Sequence, residues 1–123
     1  MKLRQLEITL QKLSGFSSPR AVLEQYPTPA PLAARLLYHA SLHGDIKGKD
    51  VCDLGSGTGV LAIGAALLGA KRVTGVEIDE RAVRTAQENA ASVGMRVEFF
   101  NGDEHAPSLK PRIGTCATVI MNP

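Results

Sequence analysis

The sequence predicts an α/β, Rossmann-like fold: the first four parallel strands of a doubly wound sheet, preceded by an N-terminal helical extension. Three observations carry this. From Lys49 onward, apolar strand-like runs alternate with helical segments, the grammar of a parallel sheet joined by right-handed crossovers. The first strand runs directly into Gly55-Ser56-Gly57-Thr58-Gly59 and then a small-residue helix. The last segment, Ala117 to Met121, is a continuous apolar run, the pattern of a strand buried on both faces.

Each element follows from local chemistry. Leu3, Leu6, Leu10 and Leu13 recur at spacings of three and four, an amphipathic helix that ends near Ser14-Gly15. Ser18 before Pro19 suits an N-cap, so a short helix is expected through Leu23 and Glu24. Tyr26-Pro27-Thr28-Pro29 breaks the chain, since each Pro lacks a donor and restrains its predecessor. Thr28 can cap a further helix with Leu32, Leu36 and Ala40 in line and Ala33 and Leu37 beside them, stopped by Gly44. Strands are expected at Asp50 to Leu54, Arg72 to Glu77 and Arg96 to Phe100. The intervening helices end at Gly69 and Gly94, the second of them capped by Asp79. Asn101 to Thr115, with Pro107, Pro111 and Gly114, reads as loop.

Composition narrows the function classes. In 123 residues, 44% hydrophobic and 21% charged, there is room for one globular core. The longest apolar stretch, around Leu61 to Leu68, is too short to span a bilayer, and no signal-type block follows Met1. A cytoplasmic protein is expected, or a nuclear one. Cys52 and Cys116 fall in apolar runs and read as buried reduced thiols, without zinc spacing. The net charge is +2, with residues 1–44 at +3 and the rest at −1. A basic flank beside an acidic pocket suits a polyanionic substrate and a cationic cofactor.

The glycine turn sits where ligands bind, at the carboxyl ends of parallel strands. Glu77 closes the second strand about twenty residues on, placed to accept both hydroxyls of a ribose. Asp103 lies just past the third strand, where it can meet an adenine amino group. Together they describe a nucleoside lying across three strand ends. A dinucleotide turn favours G-x-G-x-x-G with the pyrophosphate on the helix N-terminus, whereas here Val60 takes the place of that last glycine. Asp53 beside the glycines would repel a pyrophosphate and suits a sulfonium and an amine. The cofactor these residues favour is S-adenosyl-L-methionine.

Val119-Ile120-Met121-Asn122-Pro123 brings an Asn-Pro to the end of the fourth strand. The exocyclic amine of a base is a poor nucleophile because its lone pair is delocalised into the ring. An Asn side-chain oxygen and a backbone carbonyl can both accept its hydrogens and aim the lone pair at a methyl group. Pro123 fixes φ so that the carbonyl keeps its direction. Asn122 and Pro123 are therefore the candidate catalytic residues. The three histidines and Ser56 lack partners at catalytic or metal spacing, and no chemistry is assigned to them.

These motifs, with Leu23-Glu24-Gln25-Tyr26-Pro27-Thr28 and Gly75-Val76-Glu77-Ile78-Asp79, closely resemble the class I, S-adenosylmethionine-dependent enzymes that form N6-methyladenosine in small-subunit ribosomal RNA. The most specific element is Glu24 to Thr28, since the glycine motif is common to nearly all class I methyltransferases. The resemblance implies that Gln25 and Thr28 reach the methionine end of the cofactor as part of a lid. It implies that Gly55, Thr58 and Glu77 bind the donor, with Asp103 at the adenine, and the expected cofactor-binding set also takes in Asp53, Gly57, Gly59 and Ile78. Asn122 and Pro123 would begin the family's Asn-Pro-Pro-Phe motif. The implied partners are rRNA and a small zinc-binding activator subunit that covers an apolar edge of the sheet.

The expected organisation is a helical lid or extension over residues 1–44 and the N-terminal part of the cofactor domain over 45–123. Because the second Pro and the Phe fall outside the chain, donor binding is expected of it and methyl transfer by it alone is not. Asn-Pro-Pro-aromatic motifs also serve guanine N2 in rRNA, adenine in DNA and glutamine in proteins. A non-catalytic cofactor-binding or docking module is the alternative from another class.

Overall fold

A computed structural model describes residues 1–15, 28–103 and 116–121. Its elements are α1 (Leu3–Gln11), α2 (Ala30–Leu42), β1 (Asp50–Leu54), α3 (Val60–Leu67), β2 (Arg72–Glu77), α4 (Glu80–Ser92), β3 (Glu98–Asn101) and β4 (Thr118–Met121). The strands form one sheet in the order β3-β2-β1-β4, and every neighbouring pair is parallel. Parallel neighbours need crossover connections, which α3 and α4 supply between β1, β2 and β3. The α/β Rossmann-like expectation is met. The short helix expected before Glu24 lies outside the described residues.

Local chemistry sets some helix ends and not others: α1 stops at Gln11, short of the expected Ser14-Gly15, and among the described helices only α4 has a side-chain N-cap. Asp79 caps α4 by accepting the Arg81 N–H at 3.0 Å, and Gly69 and Gly94 take positive φ just past α3 and α4. The cap of α2 is Pro29, not Thr28, and no side chain caps that end. Pro29 holds φ at −57° with extended ψ, so the helix begins one residue later than the hydroxyl would allow.

One core joins the helices to the sheet. Leu6 and Leu10 of α1 and Ala33, Ala34 and Leu37 of α2 are buried with Ile63, Val51, Val73, Phe99 and Ile120. Of the aligned Leu32, Leu36 and Ala40, the two leucines stay exposed; the flanking Ala33 and Leu37, with Ala34, are the residues that α2 buries, and Ala40 packs against that core. Leu37 packs tightly on α3, whose Gly64 leaves no space for a Cβ beside it.

Two further expectations are corrected at β4. This strand is at the edge of the described sheet, and its burial alternates: Ile120 points inward while Val119 and Met121 are 56% and 50% exposed. Among the described residues only one face of it is covered. Cys52 and Cys116 form a disulfide with Cα atoms 6.0 Å apart, where two reduced thiols were expected. Pairing of β1 with β4 brings together positions 64 residues apart in sequence, within bridging reach.

Candidate functional site

The carboxyl ends of β1, β2 and β3 gather the predicted residues. Leaving β1, the chain turns sharply as the Gly55 and Ser56 N–H groups both donate to the Val76 carbonyl, at 2.8 and 2.9 Å. Gly55 takes φ of 74°, is exposed, and has open space where a Cβ would stand, so its backbone is open to a ligand. Gly59 differs. Its φ is 92°, and a Cβ there would come within 3.0 Å of Phe99 Cζ and 3.2 Å of Ala86 Cβ. The turn therefore has a ligand-accessible side at Gly55 and a core-packed side at Gly59. Gly57 and Thr58 are buried between them.

Glu77 binds the turn to the end of β2. Its Oε1 accepts the Gly57 N–H and its Oε2 accepts the Asp79 N–H, both at 2.8 Å. The carboxylate is buried, faces the glycine turn, and keeps one lone pair on each oxygen for further donors. Two neighbouring hydroxyls are a chemically fitting pair of such donors.

Asp53, near the end of β1, is 1% exposed, and neither of its carboxylate oxygens has a hydrogen-bond partner. Burial pushes its carboxyl up to about 7; the Glu77 charge adds to this, and the backbone N–H of Ala62 opposes it. Buried acids in folded proteins are paired as a rule, so this orphaned carboxyl fits a missing cationic partner such as an amine or sulfonium.

Ile78 follows Glu77 and is 56% exposed, an apolar surface beside the Glu77 carboxylate. Asp103 is exposed beyond β3, next to Gly102, whose N–H donates to the Glu77 carbonyl at 2.9 Å. The structure thus brings Asp53, the glycine turn, Glu77, Ile78 and Asp103 to one rim of the sheet. Thr28 is half-buried before α2. Gln25, Asn122 and Pro123 lie outside the described residues.

Two asparagines that the sequence reading missed hold this rim. Asn101 Nδ2 donates to the carbonyls of Glu77 and Ile78, at 3.1 and 3.0 Å, fixing the backbone between them. Asn89 Nδ2 donates to the Thr58 carbonyl within the turn at 2.9 Å. The available signal for Asn89 was its place on the apolar stripe of α4, in step with Ala82, Ala86 and Val93.

The family model for ribosomal protein L11 methyltransferase (PrmA) matches residues 36–116. The chain belongs to that methyltransferase family. It is 43% identical over its whole length to the rRNA N(6)-adenosine-methyltransferase Mettl5 of Drosophila melanogaster, of which it covers 59%. A Pyrococcus horikoshii crystal structure superposes with a TM-score of 0.87 at 45% identity, over 100% of this chain and 58% of that one. An RNA methyltransferase from Salinibacter ruber in complex with S-adenosyl-L-homocysteine matches with a TM-score of 0.65 at 33% identity, over 78% of this chain and 60% of that one. The resemblance read from the sequence is borne out. The chain spans roughly half the length of the curated relatives it matches.

Proposed function

We propose that the protein is an S-adenosyl-L-methionine-dependent methyltransferase that forms N6-methyladenosine in ribosomal RNA. The observation that carries the cofactor is the pair of acids on adjacent strands. Glu77 is locked against the glycine turn with lone pairs to spare, and Asp53 is buried with no partner. The adenine choice is supported by the likeness to the Drosophila rRNA enzyme and by the Glu24 to Thr28 block.

When bound, the cofactor supplies a methyl group on a positively charged sulfur that leaves as a neutral thioether. The chain's residues do the rest. Glu77 accepts the ribose hydroxyls, Ile78 covers a face of the adenine and Asp103 accepts from its amino group. Asp53 balances positive charge near the methionine end, with Gln25 and Thr28 closing over it from the 1–44 extension. Gly55, Gly57, Thr58 and Gly59 shape the backbone between these groups. Asn122 and the carbonyl held by Pro123 accept the hydrogens of the target amine, so that its lone pair faces the methyl group. Its proton leaves to solvent after transfer. The basic 1–44 flank meets the RNA backbone. The zinc-binding activator subunit and a cytoplasmic or nuclear location belong to this proposal. No helix among the described residues is long and apolar enough to cross a membrane.

The family model favours a second reading, in which a ribosomal protein amide or amine replaces the base. Methyl transfer by the full-length protein to rRNA and to ribosomal protein, measured side by side, separates the two. Asn122→Ala should abolish transfer while leaving S-adenosylmethionine affinity within about twofold, because orientation acts on the substrate and not on the donor. Full activity in that variant would end the assigned role.

A further inference from the structure

Asn89 belongs to none of the motifs above, yet its side chain joins three segments of the molecule. It is 4% exposed, on the face of α4 that otherwise presents Ala82, Val83, Ala86 and Ala90 to the core. Its Oδ1 accepts the Ser14 N–H at 3.0 Å, and its Nδ2 donates to the Ser14 carbonyl at 2.9 Å. The second Nδ2 hydrogen goes to the Thr58 carbonyl at 2.9 Å. Both donors are used, and one amide holds the backbone leaving α1 and the backbone of the glycine turn together.

The Thr58 bond has a specific consequence. The peptide between Thr58 and Gly59 is held on both sides, its carbonyl by Asn89 and its N–H by the Ser56 carbonyl at 2.9 Å. Gly59 has positive φ, and a peptide next to a glycine can rotate at little steric cost. Without Asn89 the buried Thr58 carbonyl would have to find another partner, and rotation of that peptide is the available route. The preceding residue, Gly57, carries the N–H that Glu77 accepts, so a rotated peptide disturbs the setting of the sugar-binding carboxylate.

The Ser14 bonds give the same amide a second dependence. Ser14 follows α1, which is seated by the buried Leu6 and Leu10. If α1 leaves its seat, the Ser14 pair breaks and Asn89 loses two of its three bonds. We infer that Asn89 is a positioning residue for the cofactor turn, making the seating of α1 and the binding-ready shape of Ser56 to Gly59 depend on one another. Such coupling is reciprocal: cofactor must stabilise the docking of α1 as much as docked α1 strengthens cofactor binding.

The inference rests on the cofactor reading proposed above, and hydrogen exchange of the full chain with and without S-adenosylhomocysteine separates the two. Binding accompanied by at least about fivefold slower exchange in α1 is expected. Binding with unchanged α1 exchange overturns the coupling and leaves the cofactor reading standing. Failure to bind either S-adenosylmethionine or S-adenosylhomocysteine overturns both. Asn89→Leu, which keeps the volume and removes the bonds, should weaken cofactor binding about tenfold and abolish the α1 response. A purely structural role would lower Tm and leave affinity and response intact, as would be read from the same samples. Asn89→Asp keeps the acceptor for the Ser14 N–H but loses both donors, and should rescue neither. Rescue by it would show that the Thr58 bond is irrelevant.

Discussion

Asp53 and Glu77 are two buried carboxylates on neighbouring parallel strands, and their surroundings are opposite. Glu77 receives two backbone N–H groups at 2.8 Å. Asp53 receives none that meets hydrogen-bond geometry, although the Ala62 N–H is near enough to act on its charge. An acid held by one backbone N–H on each oxygen is a fixed geometric element of the turn, with a lone pair on each oxygen left over. An orphaned acid is an energetic cost to the free protein that a cation can remove. The same residue class thus fixes shape at one strand end and, under the proposed function, would supply affinity for charge at the other. The two roles can be separated by mutation.

The largest effect is expected at Glu77. Glu77→Ala removes two charge-assisted bonds and leaves the buried Gly57 and Asp79 N–H groups without partners, at about 1–3 kcal/mol each. S-adenosylmethionine affinity should fall at least about 100-fold, since both the sugar contact and the turn are lost. Tm should fall by several degrees. Calorimetric titration and a melting curve read the two together. If affinity holds while Tm falls, Glu77 is a structural brace only, and the contrast with Asp53 fails.

The contrast also shows what could be read from the sequence. Strand and helix order were legible because Gly69, Gly94 and Asp79 end or begin helices through local backbone chemistry, and the glycine turn through its position after a strand. Glu77 and Asp103 could be placed at strand ends by register alone. What escaped was set by packing between distant segments. On α2 the apolar residues run most of the way round, so the pattern names Leu32 and Leu36 as readily as Ala33 and Leu37, and the tight packing of Leu37 on Gly64 is visible only in the fold. A continuous apolar run at β4 does not say that Val119 and Met121 will be at the edge of the described sheet. A cysteine pair 64 residues apart gives no sign of its partnership until β1 and β4 are adjacent. The roles of Asn89 and Asn101 reside in carbonyls they meet 31, 75 and 23 to 24 residues away.

Asp53 should show its role through pH. Its carboxyl sits at about 7 in the folded protein against a model-compound value of 3.8. Between those values the folded chain binds more protons at this position than the unfolded one, so the stability of the free protein falls as pH rises through the window and levels off above it. Asp53→Asn removes that slope and should be more stable than wild type at pH 8, by up to a few kcal/mol. Its ligand binding should change in the other direction. Wild-type affinity for S-adenosylmethionine should gain a component that rises towards pH 8 as the acid ionises. The variant should lack that component and bind about tenfold more weakly at pH 8. Stability and affinity must move oppositely, and a variant in which both fall would show that Asp53 is an ordinary structural acid with an undetected partner.

The smallest effect tests whether Glu77 and the residue after it act as one unit on a nucleoside. Ile78 is 56% exposed, and Asn101 holds its carbonyl at 3.0 Å. Truncating an exposed apolar side chain changes the stability of the free protein little, within about 0.5 kcal/mol. Covering an aromatic base with part of that side chain is worth about 1 kcal/mol, so Ile78→Ser should weaken S-adenosylmethionine binding about fivefold at unchanged Tm. The same fivefold should appear with 5′-methylthioadenosine, which keeps the adenine and ribose and lacks the amino acid. Asp53→Asn should by contrast leave methylthioadenosine binding nearly untouched. Equal losses for both ligands in Ile78→Ser, together with a loss confined to the charged ligand in Asp53→Asn, would fix the nucleoside at the β2 end and the cation at the β1 end. The reverse pattern would turn the ligand around in the site and take the adenine away from Ile78.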